Sequence, residues 1–348
     1  MKFNYKWTLK DSAFTKDKGT VFSTFSGGGG SSMGYLLAGY NIIGCNEIDK
    51  RMMNCYKSNL PKCKYYYLES ITKLVKRKNL PLELFNLDIL DGSPPCSSFT
   101  NAGKRSKHWG VQKKFLEGQE EQVLDTLFFE FIKLAKKLQP KVVITENVPG
   151  ITFGEALKYV QNIYIEFEKA GYDLHHWILD ASKMGVPQKR KRIFFIGMRK
   201  DLSNNFNKKI GLINNLPFLD LTFNEKKILL KEIINQPNDE YVQLTDYIKK
   251  RWNKTKVGKY LTKFQSGYNK VSLNQVCPVI SSGCYPLFHP HEQRSLGKKE
   301  VFLIHSFPID YNTLDFKKYH YIPVMSVPPV MMAQIANRIY NQWLQYLK

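Results

Sequence analysis

Hydrophobic positions fall in two rhythms along the chain. From Gly19 to Arg199, short β-branched runs alternate with longer amphipathic segments. The runs Thr20–Phe25, Asn41–Cys45, Asp88–Asp91, Val142–Thr145 and Ile193–Ile196 each end near Gly, Pro or an acidic residue and predict strands. Glu120–Leu138 predicts a helix, because Val123, Leu124, Leu127, Phe128, Phe131, Ile132, Ala135 and Leu138 fall on one stripe. Strands alternating with helices imply an α/β domain whose mostly parallel sheet is covered on both faces. From about residue 200 to 276 the chain is Asn- and Lys-rich and weakly periodic, which predicts a second, smaller domain. Beyond Val327-Pro328-Pro329, Ile335, Ile339 and Trp343 recur every four residues, so a terminal helix must bury an apolar side.

Of 348 residues, 43% are apolar and 14% aromatic, enough buried surface to offset ordering entropy, which excludes a disordered chain. No apolar run approaches the roughly 18 residues that cross a bilayer. The amino-terminal stretch is polar and charged, so a soluble, intracellular protein without membrane contact is expected. The six cysteines (Cys45, Cys55, Cys63, Cys96, Cys277, Cys284) form no CxxC pair or zinc-type set with His, which argues for a reduced compartment and against a metal. Lys and Arg number 52 against 30 Asp and Glu, a net charge of +22. Such an excess points to a polyanionic partner bound through counterion release, with a lysine-rich solvated surface as the plain alternative.

Four segments carry candidate chemistry. Phe25-Ser26-Gly27-Gly28-Gly29-Gly30 follows a predicted strand and precedes a helix start, and Glu47 follows about 20 residues on, where nucleotide-binding sheets place an acid on ribose hydroxyls. A tight turn, or a nicotinamide dehydrogenase, would fit this pair equally well. Gly92-Ser93-Pro94-Pro95-Cys96 holds a thiol at the carboxyl end of another strand, a location that favours a poised nucleophile over a buried structural cysteine. Glu146-Asn147-Val148 ends a third strand, where Glu146 alone could simply cap a helix. Gln188-Lys189-Arg190-Lys191-Arg192 leads into a fourth, as charged edge protection would. A basic, aromatic stretch, Lys249-Lys250-Arg251-Trp252-Asn253-Lys254, lies in the smaller domain.

In this order, FSGGGGSSMG, GSPPCSSF, ENV, GVPQKRKRIFFIG, HPHEQRSLGKKEVFLIHSFP and SVPP resemble the cytosine-5 DNA methyltransferases over nearly the whole chain from Thr20. The resemblance implies a Rossmann-like S-adenosylmethionine-dependent sheet with a smaller target-recognition domain. The implied boundaries are an extension over 1–18, a catalytic domain over 19–200 completed by 318–348, and target recognition over 201–317. Cys96 matches the nucleophile that adds to cytosine carbon 6, and Glu146 the acid, held partly neutral by burial, that serves ring nitrogen 3. Arg192, supported by Arg190, matches the residue that holds the base carbonyl. For S-adenosylmethionine, the resemblance assigns Phe25, Ser26, Gly27, Gly28, Gly29, Gly30, Glu47, Ile48, Glu69, Pro95, Leu127, Met325, Ser326 and Val327.

The base must leave the duplex to be reached. A basic loop from Ser98 to Lys114, with Lys104, Arg105, Lys107 and Trp109, matches the one that closes over it. With Lys250, Arg251 and Lys254, these residues are expected to contact DNA. Duplex DNA is the implied partner of a monomeric, cytoplasmic enzyme of a prokaryotic or phage-infected cell. A cognate restriction endonuclease is a second partner whose existence the sequence leaves open. A tRNA cytosine substrate and a non-catalytic DNA-binding relative are the alternatives. The chain departs from the family at Ser23, where an acid is expected before the glycines, and at Ile48, where an aromatic is expected. It departs again at Leu68-Glu69-Ser70, where Gly-Asp-Ile is usual, and at Val324-Met325, where Gly-Asn is usual.

Overall fold

The computed structural model describes residues 3–95, 112–113, 122–123, 126–154, 156–210, 216–262, 268–280, 287–315 and 318–347. The chain runs β1 (Thr20–Thr24), α1 (Gly30–Ala38), β2 (Asn41–Glu47), α2 (Lys50–Asn59), β3 (Tyr65–Leu68), α3 (Ile71–Lys76) and β4 (Ile89–Gly92). A two-residue ribbon, β5 (Gln112–Lys113) with β6 (Gln122–Val123), leads to α4 (Leu127–Leu138), β7 (Val142–Asn147), α5 (Ala156–Lys169), β8 (Tyr172–Asp180), β9 (Lys191–Arg199) and α6 (Lys200–Ile210). The remainder holds α7 (Asp246–Lys254), β10 (Lys259–Tyr260), β11 (Asn269–Lys270), α8 (Lys298–Ile304), α9 (Tyr321–Val324) and α10 (Pro329–Gln342).

Seven strands form one sheet in the order β3-β2-β1-β4-β7-β9-β8. All neighbours pair in parallel except that β9 runs antiparallel to both β7 and β8. Alternate residues feed the two faces: Val21, Ile144, Phe194 and Ile196 join one core, and Phe22, Val143, Ile193 and Phe195 the other. Helices cover both faces, as the alternating pattern requires. The stripe of α10, with Ile335 and Ile339 fully buried, packs against α1 in the first core.

Three local expectations change. The helix expected over Glu120–Leu138 begins only at Leu127, because Gln122 and Val123 pair as a strand with Lys113 and Gln112. β3 and β8 had no candidate. Both are edge strands with one partner, and β8 carries polar Asp173, His175 and His176 within it, so neither shows the apolar run of a central strand.

Past α6, residues Leu230, Ile233, Val271, Cys277, Leu296 and Val301 build a small core of their own. Leu244, Trp252, Leu261 and Phe288 build another beneath α7. Trp252 is the anchor: its indole N–H donates to His289 O at 2.9 Å, and Lys270 Nζ lies 3.5 Å over its ring. Burying Trp252 turns Lys250, Arg251 and Lys254 outward, and all three are exposed. The amino-terminal segment straps onto the end of α8, with Trp7 Nε1 donating to Ser306 O and the Leu9 and Lys10 amides to the Asp310 carboxylate.

Candidate active site

Strand order reverses between β1 and β4, and open α/β sheets bind ligands in the crevice outside the carboxyl ends of strands at such a point. A cleft lies there, walled by Phe25 and Gly27 after β1, Glu47 and Ile48 after β2, Glu69 after β3, and Ser93 and Pro95 after β4. Leu127 opens α4 against it, and Tyr321 and Met325 close it from the carboxy-terminal segment. Five of the residues assigned to the donor by resemblance are apolar walls here: Phe25, Ile48, Pro95, Leu127 and Met325.

Phe25 holds φ at +50°, a left-handed backbone that non-glycine residues adopt rarely. The next turn is drawn in by Glu47: one carboxylate oxygen accepts from Gly27 N at 2.7 Å, the other from the Ile48 and Asp49 amides at 2.8 and 2.9 Å. Burial raises the Glu47 carboxyl above the usual range, while these amides pull it back. Gly27 has φ +49°, and a Cβ there would meet nothing nearer than Ser326 Oγ at 3.9 Å, so the backbone faces open space.

The remaining glycines do something else. A Cβ on Gly30 would collide with Val327 O at 2.4 Å and Ser326 Cβ at 2.6 Å; one on Gly28 would strike Ile322, and one on Gly29 Leu60 and Tyr56. A side chain on Gly28, Gly29 or Gly30 would thus run into neighbouring protein, which only glycine avoids. Ser326 and Val327 lie on that contact and do not line the cleft, and Ser26 is buried with its hydroxyl beside the Cys45 thiol. Glu69 lines the cleft but its carboxylate is taken by Arg77, at 2.6 and 3.1 Å.

Beside this cleft, β7 and β9 bring Glu146 and Arg192 together, Arg192 Nε lying 2.8 Å from Glu146 Oε1 with both side chains largely shielded from solvent. Arg192 therefore orients Glu146, beyond the base contact expected of it. Asn147 ties this pair to the next loop, its amide donating to Pro94 O at 3.3 Å and its oxygen accepting from Val148 N at 2.8 Å. Cys96 directly follows that proline pair. It lies outside the described residues, as do Ser98, Lys104, Arg105 and Lys107.

Arg190 is fully buried. Its Nη2 donates to Val324 O and Ser326 O, both at 3.0 Å, whereas Nε and Nη1 have no partner among the described residues. Burial and the nearby Arg192 push its guanidinium well below the usual arginine range. Arg190 thus links the strand carrying Arg192 to the segment carrying Met325. Gln188 Nε2 contacts His305 Nε2 at 3.1 Å, and the other ring nitrogen meets Val301 O at 2.8 Å. Burial lowers His305 to about 3, so it is neutral and holds α8 to the start of β9 without charge. Asn147, Gln188 and His305 were legible only as members of motifs; nothing local to them signals these contacts.

The residues present fit S-adenosylmethionine: apolar walls suit a flat ring, Glu47 suits hydroxyls, and Gly27 leaves room at the backbone. Residues 19–341 match the profile of C-5 cytosine-specific DNA methylase. The chain is 34% identical to Type II methyltransferase M.NgoPII of Neisseria gonorrhoeae over 214 residues, covering 62% of this chain and 55% of that protein. It is 36% identical to M.FnuDI of Fusobacterium nucleatum over 187 residues, 53% and 49% of the two chains. The match thus spans about half the length of these two relatives. Type II methyltransferase M1.HphI of Haemophilus parahaemolyticus is 26% identical over 335 residues, 92% of this chain and 86% of its own. A crystal structure described as a DNA modification methyltransferase encoded within an E. coli prophage shares the fold, with a TM-score of 0.69 at 19% identity, covering 93% of this chain and 99% of that one. With a profile match across nearly its whole length, this chain belongs to the C-5 cytosine-specific DNA methylase family.

Proposed function

We propose that the protein transfers a methyl group from S-adenosylmethionine to carbon 5 of a cytosine flipped out of duplex DNA. The observation that carries this reading is the Glu146–Arg192 pair, braced through Asn147 to the loop that leads into Cys96, beside the switch-point cleft. The Cys96 thiolate adds to carbon 6 and opens the 5,6 double bond. Glu146 brings a proton to nitrogen 3, so charge does not accumulate on the ring, and Arg192 steadies that carboxyl group and the base carbonyl. S-adenosylmethionine supplies an electrophilic methyl group. Carbon 5 takes it up as the neutral thioether is released, the carbon-5 proton leaves to solvent, nitrogen 3 returns its proton to Glu146, and elimination breaks the sulfur–carbon 6 bond and returns the thiolate. Residues 19–200 with 318–348 form the catalytic domain in this reading, and 201–317 the target-recognition domain.

Nucleoside mass spectrometry after incubating the protein with unmethylated duplex DNA and S-adenosylmethionine tests this directly. 5-Methylcytosine is the expected product, and an unmodified cytosine pool would overturn the reading. Transfer to tRNA but not duplex DNA would reassign the substrate.

The exposed side of α7 is read as part of the DNA-binding surface. Each phosphate neutralised contributes about 0.9 to the slope of log affinity against log salt. Replacing Lys250, Arg251 and Lys254 together by Ala is therefore expected to flatten that slope by about 2 to 3. An unchanged slope, measured by fluorescence anisotropy across a salt series, would remove this face from the interface.

A further inference from the structure

Asp91 is a buried carboxylate that the proposed chemistry does not use. One oxygen accepts from Ser23 Oγ at 2.8 Å and Ser31 Oγ at 2.7 Å, and the other from Tyr35 OH at 3.2 Å. No cation pairs with it among the described residues, and it is only 2% exposed. Burying a charge is unfavourable unless it is fully hydrogen-bonded, and a neutral side chain would satisfy the same three hydroxyls with less desolvation. A buried acid without a counter-charge is a candidate for function rather than for stability.

Its place in the fold says which function. Asp91 lies directly across the β1–β4 ladder from Ser23, the position before the glycines where the family resemblance calls for an acid. In this chain the carboxylate stands on the neighbouring strand, buried beneath the loops that wall the cleft rather than lining it. Two residues beyond Ser23 comes Phe25, two beyond Asp91 comes Ser93, and Ser31 and Tyr35 stand one turn apart on the helix that the glycine turn feeds. One group therefore gathers the ends of β1, β4 and α1, whose loops wall the cleft.

We propose that Asp91 is a positioning residue for the methyl donor, holding the Phe25–Gly30 turn against the Ser93–Pro95 loop and favouring a cationic sulfonium over its neutral thioether product. The inference rests on reading the cleft as the donor site. The electrostatic part follows from burial, since a charge shielded from water acts over several ångströms. Burial sets the carboxyl at about 6, above the usual carboxylate range, so it is charged above neutral pH.

Calorimetric titration of S-adenosylmethionine and S-adenosylhomocysteine at pH 8 tests it, with Asp91→Asn and the double swap Ser23→Asp/Asp91→Ser beside the parent protein. Asp91→Asn is expected to weaken the sulfonium donor about tenfold and the thioether product less than about threefold. The double swap, which returns the carboxylate to β1, is expected to restore the donor-to-product ratio. An unchanged ratio in Asp91→Asn would overturn the proposal. So would an equal loss for both ligands together with a lowered Tm, which is what a merely structural role predicts. Should Asp91→Asn fail to fold, Asp91→Ser beside the double swap decides: a ratio lost in the single variant and regained in the swap supports the proposal, and the parent ratio in both defeats it. A parent protein that binds neither ligand would instead defeat the reading of the cleft, and this inference with it.

Discussion

Cys96→Ala is expected to abolish methyl transfer, by about 10⁴-fold or more, while changing the affinities for duplex DNA and donor by less than about threefold. The size of the effect follows from the chemistry: carbon 5 of cytosine becomes nucleophilic only once a thiolate has added to carbon 6. No described thiol can stand in. Cys45 and Cys277 are deeply buried and their thiols are pushed far above the usual range, Cys55 is raised to about 11, and burial raises Cys63 as well. All four stay protonated at neutral pH and are poor nucleophiles. Duplex DNA carrying 5-fluorocytosine at the target offers the complementary measurement, because fluorine cannot leave as a proton does. The parent protein should form a stable covalent adduct on a denaturing gel and Cys96→Ala none. Residual transfer within tenfold of the parent would show that the reaction does not pass through this thiol.

Glu146→Gln is expected to slow single-turnover transfer by about 10² to 10⁴-fold, the range that proton transfer from a positioned side chain contributes. The substitution keeps shape and an oxygen that can still accept from Arg192 Nε, so the loss measures the proton and charge rather than packing. It also leaves the shielded Arg192 guanidinium without its counter-charge, which makes some loss of stability part of the result. Exchange of tritium from carbon 5 of cytosine separates the two halves of the reaction, since it requires thiolate addition. Exchange and methyl transfer should fall together in Glu146→Gln. Normal exchange with slow transfer would move Glu146 from the base to the donor side.

The family was legible in the sequence because its motifs are local. Each is a few residues at a strand end, and the strand ends were readable because central strands buried on both faces appear as apolar runs whatever surrounds them. The terminal helix was legible for the same reason, through a stripe that must be buried somewhere. Edge strands β3 and β8 were not, because a strand with one neighbour keeps polar residues and loses that signature. The early start expected for α4 failed because an amphipathic stripe records which residues face a core, not whether Gln122 and Val123 find a strand partner.

The site divides along the same line. Sequence alone selected Cys96, Glu146, Arg190, Arg192, Glu47 and the glycines. Only the tertiary structure decided that Gly27 faces the cleft while Gly28 and Gly30 abut the chain near Tyr311–Val327 and Gly29 abuts Tyr56 and Leu60. It also decided that Arg190 holds carbonyls 134 and 136 residues away, and that Asp91 stands opposite Ser23 across two parallel strands. Residue type and local spacing fix which groups are available and which backbone shapes are allowed. Which groups meet depends on strand order and register, and those are settled by burying both faces of the sheet at once.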